Sequence, residues 1–418
     1  MRGRIGMGIG IGFLILYGIC NASSARLHQT LWFFVGEGFW IGYLWWLRYH
    51  THSMRKILNH LIRLAVLFAA IGLFYQYQCN YRKEGTEMLQ IVVDDILCFV
   101  AAHFSYWVMY KYGERFIEKV GKISLVLLPF ALLYSRFVSH PVSGCYIRLV
   151  GGFLTFAFVL ICWPFTTVAL LGKGDSRTSL YHSFYAMPLN QVIYLAYMAV
   201  IILLASINND FGTAMVVGGS AMIVFLVYGK DWICKLGFSL LSVGGILGAC
   251  LWSKKLWYRF FVCINLEACI NTEDQYLAAQ SEALVYLIQN ISFSGPYGAG
   301  FGTIPKSIFP NRATDYVVSG ILYQQGILIV LILAAITLLF LIILMKIEPV
   351  KKMENRLAFM IALIFSINMV WVILCNLSVL PVCGLSFPWI AQGTSTNLAF
   401  SILLGIFLAM GNEGYRSK

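Results

Sequence analysis

The amino-acid sequence predicts an all-α fold, a polytopic transmembrane helical bundle of about 12 helices with one long extracellular loop. Two observations lead to this prediction. Of the 418 residues, 60% are hydrophobic and only 11% are charged, whereas about 25% of the residues in a soluble domain are charged. Apolar runs long enough to cross about 30 Å of hydrocarbon also recur along the chain, without the two-residue alternation of a membrane β-barrel.

Each apolar run is assigned to a helix, because a segment in lipid must satisfy its own backbone hydrogen bonds. The first run follows Arg2 and Arg4 and precedes Ala22 and Ala25, a pattern that also fits a cleaved secretory signal peptide. The runs lie near residues 5–22, 30–48, 58–77, 88–110, 122–139, 147–171, 189–207, 211–229, 233–252, 317–345, 356–379 and 388–411.

The distribution of basic residues predicts the orientation. If the N-terminus is cytoplasmic, the loops on that side contain 20 of the 30 Lys and Arg residues, and the opposite loops contain 10. This bias predicts cytoplasmic N- and C-termini by the positive-inside rule. It also explains much of the net charge of +12 without a nucleic-acid partner.

The polar segment from about residue 253 to 315 is then extracellular. Its five positive and five negative charges cancel, which indicates pairing or chemistry rather than a basic patch for nucleic acid. A loop of this length is usually functional or disordered, and its aromatic and apolar residues disfavour disorder. We therefore expect the functional site here.

Four titratable residues fall within or near apolar helices, where an ionised group is costly and often functional. Asp94 and Asp95 lie in the first two turns of their helix, where interfacial water and the helix dipole favour carboxylates. Glu37 lies deeper and is expected to be protonated or paired with His103 or an Arg. A transporter is favoured only if Glu37, Asp94 and His103 converge on a cavity through the membrane.

Five stretches of the chain resemble motifs of one membrane-protein family. Residues 208–214, Asn-Asn-Asp-Phe-Gly-Thr-Ala, are similar to Pro-Asp-[Leu/Phe]-Gly-Thr, and residues 146–156 are similar to Trp-Ile-x-Leu-Gly-x-Phe-x-Phe. Residues 276–281 match Tyr-Gln-x-x-Gln-Ser, followed by a glycine-rich turn. Residues 309–316 parallel Leu-Pro-Glu-x-His-Thr-Asp-Phe, and residues 380–395 resemble Leu-Pro-x-Thr-Gly-x-x-Leu-Pro with its Gly-Gly-Ser-Ser.

These motifs, in this order over about residues 58–411, identify the chain as a divergent member of the SEDS family (FtsW, RodA, SpoVE). The resemblance implies a ten-helix membrane domain at residues 58–418 and a two-helix N-terminal addition at residues 1–50. Asp210 is also the expected N-cap of its helix. The positions that carry the structural motifs are Asp210, Gly212, Pro381, Gly384 and Pro388.

The resemblance implies an inverting peptidoglycan glycosyltransferase that polymerises lipid II, the undecaprenyl-pyrophosphate-linked disaccharide-peptide, in division, elongation or sporulation. Such proteins act at the outer face of the cytoplasmic membrane, among membrane lipids, beside a class B penicillin-binding protein. The reaction needs cations for the pyrophosphate and a carboxylate for the attacking hydroxyl. The predicted substrate-binding residues are Arg148, Arg259, Lys254, Lys255, Arg312, Gln280, Ser281, Thr314 and Asp315.

The cations among these residues are equally suited to anchoring the loop at lipid headgroups. The sequence requires no cofactor and contains no protein-only metal site, although Mg²⁺ can bridge a pyrophosphate and a loop carboxylate. Cys263 and Cys269 lie in the same loop, where a disulfide between them would close a small ring.

The essential Asp of the family is missing. Alignment on Asn265 places Cys269 at that position, and counting back from Tyr276 places Ile270 there. The predicted replacements, in order of preference, are Asp274, Glu273 and Glu267, although each also fits a merely solvated loop charge.

A buried Glu and Lys of the family are also replaced, by apolar residues at 157–162, and losing both members of a buried pair costs less than losing one. These departures favour an alternative function, a non-catalytic scaffold or regulator of a penicillin-binding protein. A transporter of a lipid-linked precursor is the third alternative.

Overall fold

The computed structural model describes residues 27–50, 56–80, 87–140, 146–149, 152–171, 189–228, 235–236, 239–240, 254–270, 272–300, 313–346 and 352–412. Within these ranges the chain forms 13 helices, and its one β-contact is an isolated bridge between Arg148 and Leu154. The predicted all-α transmembrane bundle is confirmed.

The helices are numbered here in chain order. They are α1 Leu27–His50, α2 Lys56–Asn80, α3 Glu87–Val138, α4 Thr155–Leu171, α5 Leu189–Ile207, α6 Phe211–Tyr228, α7 Lys254–Ile264, α8 Glu267–Ile270, α9 Gln275–Ser294, α10 Val317–Gln325, α11 Ile327–Met345, α12 Lys352–Asn376 and α13 Thr394–Gly411.

Four described segments are long and apolar enough to cross a membrane: Ile57–Cys79, Ile327–Met345, Met353–Asn376 and Thr394–Gly411. Their burial differs widely. In α11 only 28% of the apolar window is buried within the protein, whereas in α13 the share is 78%. Since apolar surface that is not covered by protein faces lipid in a membrane, α13 is a central helix and α11 a peripheral one.

An aromatic cluster forms the centre of the bundle, around the indole of Trp389. This ring stacks on Phe68 and Phe365, with centroid distances of 6.4 and 5.7 Å, and meets Phe340 edge-on. The indole nitrogen donates to the hydroxyl of Ser401 at 2.9 Å. A buried tryptophan thus has both its apolar faces and its polar N–H satisfied.

Two helix boundaries differ from the simple apolar runs. The runs at 88–110 and 122–139 are parts of α3, a 52-residue helix in which Gly113 has non-helical angles, φ 51° and ψ −131°. The run at 317–345 is interrupted at Gly326, where a Cβ would lie 2.3 Å from the carbonyl oxygen of Pro296. The run at 5–22 and most of the run at 233–252 lie outside the described residues.

The polar segment between α6 and α10 is mostly helical where it is described, and not an extended loop as its polarity suggested. Helices α7, α8 and α9 enclose a small hydrophobic cluster of their own, centred on Val262, Leu277 and Leu287. Tyr316 and Val382 pack against this cluster. Apolar packing therefore attaches the segment to one end of the bundle.

The contact between α3 and α13 depends on Gly405. A Cβ at this position would lie 2.0 Å from the carbonyl oxygen of Ala102 and 2.2 Å from Oγ of Ser105. We expect Gly405→Ala to lower the free energy of unfolding by about 1–3 kcal/mol through overpacking. Thermal unfolding in detergent would show this as a lower Tm.

Gly42→Ala is the matched control, because nothing lies within 4 Å of a Cβ built at this exposed helical position. Its Tm should be unchanged or slightly higher, since alanine favours a helix over glycine. Equal Tm values for the two variants would contradict the close α3–α13 contact.

Candidate functional site

Two motifs that are far apart in the sequence meet at the start of α6. A Cβ on Gly212 would lie 2.9 Å from both the carbonyl oxygen of Cys383 and Cδ2 of Leu385. Only a residue without a side chain permits this approach. Gly384, between those two residues, has a φ of 69°, which also favours glycine. Pro381 and Pro388 are both buried in the same connecting segment.

Asp210 caps α6. Its Oδ1 accepts the amide of Thr213 at 3.1 Å, and its Oδ2 accepts the hydroxyl of Thr213 at 2.6 Å.

The segment of residues 146–149 lies at the same end of the bundle. The amide of Tyr146 donates to the carbonyl of Asn208 at 3.0 Å, which places this segment and the exposed Arg148 near the start of α6.

The segment before α10, residues 313–316, is held by three other parts of the chain. The carbonyl oxygen of Ala313 accepts Nε2 of Gln76 at 3.0 Å and the amide of Gln392 at 2.7 Å. Nδ2 of Asn376 donates to the carbonyl of Asp315 at 2.9 Å. The position of Asp315 is therefore fixed by α2, by α12 and by the segment before α13, as a preorganised site requires.

Arg259 is the cation at the centre of this region. It lies on α7, partly buried, and its charge acts on Asp210, Asp315 and Tyr316. Helix α7 is attached to the start of α6 by an edge-on contact between Phe260 and Phe211, with a centroid distance of 5.6 Å. The charge of one guanidinium thus acts on two carboxyl groups from different parts of the chain.

Burial raises the pKa of Asp315 to about 6, against the opposing effects of a hydrogen bond from Thr314 and the charge of Arg259. At pH 7 the carboxyl group is therefore mostly ionised, and it is also close to the pH at which it can accept a proton. Both Thr314 and Asp315 are partly buried. Asp315 thus has the ionisation expected of a general base.

Asp274 has a structural role. Its Oδ1 accepts the amides of Tyr276 and Leu277 at 2.9 and 3.1 Å, so it is the N-cap of α9. Its Oδ2 accepts the hydroxyl of Tyr258 at 2.9 Å. The other two carboxylates predicted to replace the family Asp, Glu267 and Glu273, are exposed. A catalytic role for these three stays a prediction.

The two positions that alignment gives for the missing family Asp differ in their surroundings. Cys269 is buried and its Sγ lies 3.1 Å from the carbonyl oxygen of Asn265, whereas Ile270 is exposed. Neither side chain supplies the carboxylate of the family position. Cys263 and Cys269 are free thiols, so the proposed disulfide is not formed.

The remaining predicted substrate-binding residues are less informative. Ser281 is buried and its hydroxyl donates to the backbone carbonyls of Cys269 and Ala278, so it joins α9 to α8. Gln280 is partly buried. Arg312 and the side chains of Lys254 and Lys255 lie outside the described residues.

The three residues that a transporter would bring together, Glu37, Asp94 and His103, do not all line the cavity that the structure describes. Nε2 of His103 forms a hydrogen bond with the hydroxyl of Tyr43 at 3.0 Å, at an exposed position. Asp94 instead lines a small cavity that includes neither His103 nor Glu37 among its walls.

Two polar residues near the ends of apolar helices hold the candidate site in place and were not identified from the sequence. Gln76 and Asn376 are each at most 2% exposed, and both fix the 313–316 segment. Buried amides at the ends of membrane helices are a usable signal, because such groups need partners. The partners of Gln76 lie 237 and 314 residues away and those of Asn376 lie 61 and 57 residues away, so they could not be read from the sequence.

A sequence model of the FTSW_RODA_SPOVE family, described as a cell cycle protein family, matches residues 58–415. This chain belongs to that family. Half of the chain, 216 residues, is also 24% identical to the probable peptidoglycan glycosyltransferase FtsW of Riesia pediculicola, covering 57% of that relative. The chain thus matches little more than half the length of this curated relative.

Solved structures show the same fold. One chain of a peptidoglycan synthase complex that coordinates polymerization and crosslinking matches with a TM-score of 0.65 and 16% identity, over 85% of this chain and 98% of that one. Rod shape determining protein RodA of Thermus thermophilus matches with a TM-score of 0.56 and 17% identity, over 85% of this chain and 96% of that one. The present chain has apolar helices and belongs to the SEDS family, so it is a multi-pass protein of the cytoplasmic membrane.

The cap that Asn376 provides to α10 can be tested by hydrogen exchange. Oδ1 of Asn376 accepts the amide of Ser319 at 3.0 Å while Nδ2 holds the carbonyl of Asp315. Asn376→Leu leaves two buried backbone groups without these partners, at a cost of about 1–3 kcal/mol each. We expect exchange of the Ser319 amide to be at least about tenfold faster.

Ser292→Ala is the control, because its exposed hydroxyl donates only to a carbonyl of its own helix, that of Ile288. Unchanged exchange at Ser319 in Asn376→Leu would show that this contact does not hold the segment.

Proposed function

We propose that this SEDS protein is an inverting peptidoglycan glycosyltransferase that polymerises lipid II at the outer face of the cytoplasmic membrane. In this proposal both termini are cytoplasmic and residues 253–315 are extracellular. Membership of the family, the name of the curated relative and the fold shared with a chain of a peptidoglycan synthase complex support it. The two-to-one distribution of Lys and Arg supports the orientation.

The observation that carries the proposal is a partly buried arginine, Arg259, whose charge acts on two carboxyl groups, those of Asp210 and Asp315. A guanidinium binds phosphate oxygens through paired, charge-assisted hydrogen bonds. Arg259 is therefore assigned to the pyrophosphate of the donor. Arg148, exposed at the same end of the bundle, is a second candidate cation, and Lys254, Lys255 and Arg312 are further ones.

Asp315 is assigned as the general base. The acceptor hydroxyl oxygen attacks C1 of the donor sugar, the bond from C1 to the pyrophosphate breaks, and the leaving group takes the electron pair. The hydroxyl proton passes to the carboxylate of Asp315. This assignment replaces the family Asp with a carboxylate on which the charge of Arg259 acts, in a segment whose backbone is held by hydrogen bonds. Asp274 is the competing base, since it also lies in the polar segment between α6 and α10.

Any Mg²⁺ would arrive with the pyrophosphate, whose charge it would neutralise. Among the described residues no group of three or more His, Cys, Asp or Glu is placed to hold a metal ion. We also propose a class B penicillin-binding protein as partner, because one structural neighbour is part of a peptidoglycan synthase complex.

A second function is favoured by a specific observation. The family position of the essential Asp holds a buried thiol, Cys269, or an exposed Ile270, depending on the alignment. The family's buried Glu and Lys fall within residues 157–162, which are apolar and lie in α4. A protein with these losses can act as a non-catalytic scaffold for a penicillin-binding protein.

The deciding experiment measures glycan strands made from labelled lipid II by the purified protein, with and without a penicillin-binding partner that lacks polymerase activity. We expect polymer, and a loss of at least about 100-fold in rate for Asp315→Asn and Arg259→Gln, the scale of a general base or a transition-state contact. Glu282→Gln is the control, because this exposed carboxylate accepts the hydroxyl of Tyr286 at 3.0 Å, one turn along the same helix.

Three further variants compare the competing bases: Asp274→Asn, Glu273→Gln and Glu267→Gln. Loss of polymer in one of them, with Asp315→Asn active, would keep the enzyme and overturn the base assignment. No polymer in any pairing, with folded protein that still binds its partner, would establish the scaffold instead.

The pH dependence provides an independent check of Asp315. Because its pKa is raised to about 6, the carboxylate is protonated as the pH falls through that value, and a base is lost. We expect kcat/KM to fall about tenfold for each pH unit below 6. A profile that stays flat between pH 7 and pH 5 would exclude Asp315 as the base.

A further inference from the structure

A small cavity lies between α2, α3 and the segment that leads into α13. Its volume is about 20 Å³, enough for one particle of the size of a water molecule, which needs about 10–15 Å³. The polar residues that line it are Gln76, Asp94, Asp95, Gln392, Thr394 and Asn397. The cavity is therefore polar, and it is too small to be a passage through the membrane.

Two carboxyl groups contribute negative charge to this cavity. Asp95 is 8% exposed, and Asp94 accepts the hydroxyl of Thr394 at 2.5 Å. Glu37, buried on α1, lies close enough to act electrostatically on Asp95, and Cys98 lies beside both aspartates. The residues that line the cavity include no Lys, Arg or His to balance this charge.

The side-chain amide of Gln76 independently indicates that the cavity binds a ligand that can contact an oxygen acceptor. Its Nε2 donates to the carbonyl oxygens of Ala313 and Ile390, at 3.0 and 3.2 Å, and only the amide nitrogen can donate. The orientation of the amide is therefore fixed. Its Oε1 is buried without a hydrogen-bond partner, on a side chain that is 2% exposed and lines the cavity. A buried acceptor without a donor is costly.

Backbone carbonyls also approach the cavity. A Cβ on Gly72 would lie 2.4 Å from the carbonyl oxygen of Trp389 and 3.1 Å from that of Ile390, and all three residues line the cavity. The glycine leaves these two oxygens uncovered. Carboxylate, amide and carbonyl oxygens are the hard donors that bind hard cations.

We propose that this cavity binds a single dehydrated Na⁺ through carboxylate oxygens of Asp94 and Asp95 and Oε1 of Gln76. The size of the cavity supports a monovalent ion. Mg²⁺ usually keeps several waters, for which about 20 Å³ leaves no room. Ca²⁺ also binds oxygen ligands, so the test below includes it as a competing ion.

The cavity is coupled to the 313–316 segment through one side chain. Gln76 lines the cavity, its Oε1 has no hydrogen-bond partner, and its Nε2 holds the carbonyl of Ala313. A bound cation fixes the amide of Gln76, and through it the segment that carries Asp315. This consequence for catalysis rests on the proposed function, whereas the cation site itself does not.

The test measures binding of ²²Na⁺ to the purified full-length protein in detergent, without lipid II, together with thermal unfolding in NaCl and in choline chloride of equal ionic strength. We expect one Na⁺ per chain and a higher Tm in NaCl, because a ligand that binds only the folded state stabilises it. Asp95→Asn should weaken Na⁺ binding at least about tenfold and remove the difference in Tm.

Glu118→Gln is the matched control, because this exposed carboxylate on the same helix pairs with Lys122, and it should bind Na⁺ as the wild type does. Gly72→Ala is a second variant in case Asp95→Asn does not fold, since its methyl group would cover the carbonyl of Trp389.

Three results would overturn the proposal: equal Tm in both salts with no ²²Na⁺ bound, Na⁺ binding that survives in all the cavity variants, or stabilisation by Ca²⁺ or Mg²⁺ alone. Stabilisation by low pH without any dependence on Na⁺ would assign the cavity to a proton. Because no lipid II is present, these results do not depend on whether the protein polymerises glycan.

Discussion

The two hydrogen bonds accepted by the carbonyl oxygen of Ala313 join the parts of the protein on which the proposed site depends. One donor, Gln76, belongs to α2, and the other, the amide of Gln392, belongs to the segment before α13. In an apolar bundle a backbone carbonyl without a partner is costly. The same constraint that stabilises this end of the bundle therefore sets the position of Asp315, two residues further along the chain.

The electrostatics of the site follow from how few charges the protein contains. With 11% charged residues, an arginine placed among buried or partly buried carboxyl groups dominates its surroundings. Arg259 is delivered there by α7, whose apolar face belongs to a cluster separate from the main core. The polar segment is thus a small folded unit that positions a cation. Its acidic residues differ from one another in role. Asp274 caps α9, and Asp315 carries a carboxyl group on which the charge of Arg259 acts.

Hydropathy predicted the helices well where one apolar run makes one helix, as for α5, Leu189–Ile207, which has the predicted bounds. It could not show that Gly326 breaks a run, because the reason is the carbonyl of Pro296, supplied from a distant turn. It also concealed α7 to α9, whose apolar residues face only one side. Motifs predicted which parts of the chain form the site, but the contact of Gly212 with Cys383, and the partners of Gln76 and Asn376, arise only on folding.

The most direct test of this account maps where a lipid pyrophosphate binds. A photoreactive analogue of undecaprenyl pyrophosphate would be crosslinked to the purified protein, and the labelled peptides identified by mass spectrometry. The account predicts labels within residues 146–149, 254–264 and 313–316, displaced by lipid II and strongly reduced in Arg259→Gln. Labels confined to other surfaces, or labels in these segments that are unchanged in Arg259→Gln, would contradict the assignment of Arg259 to the pyrophosphate.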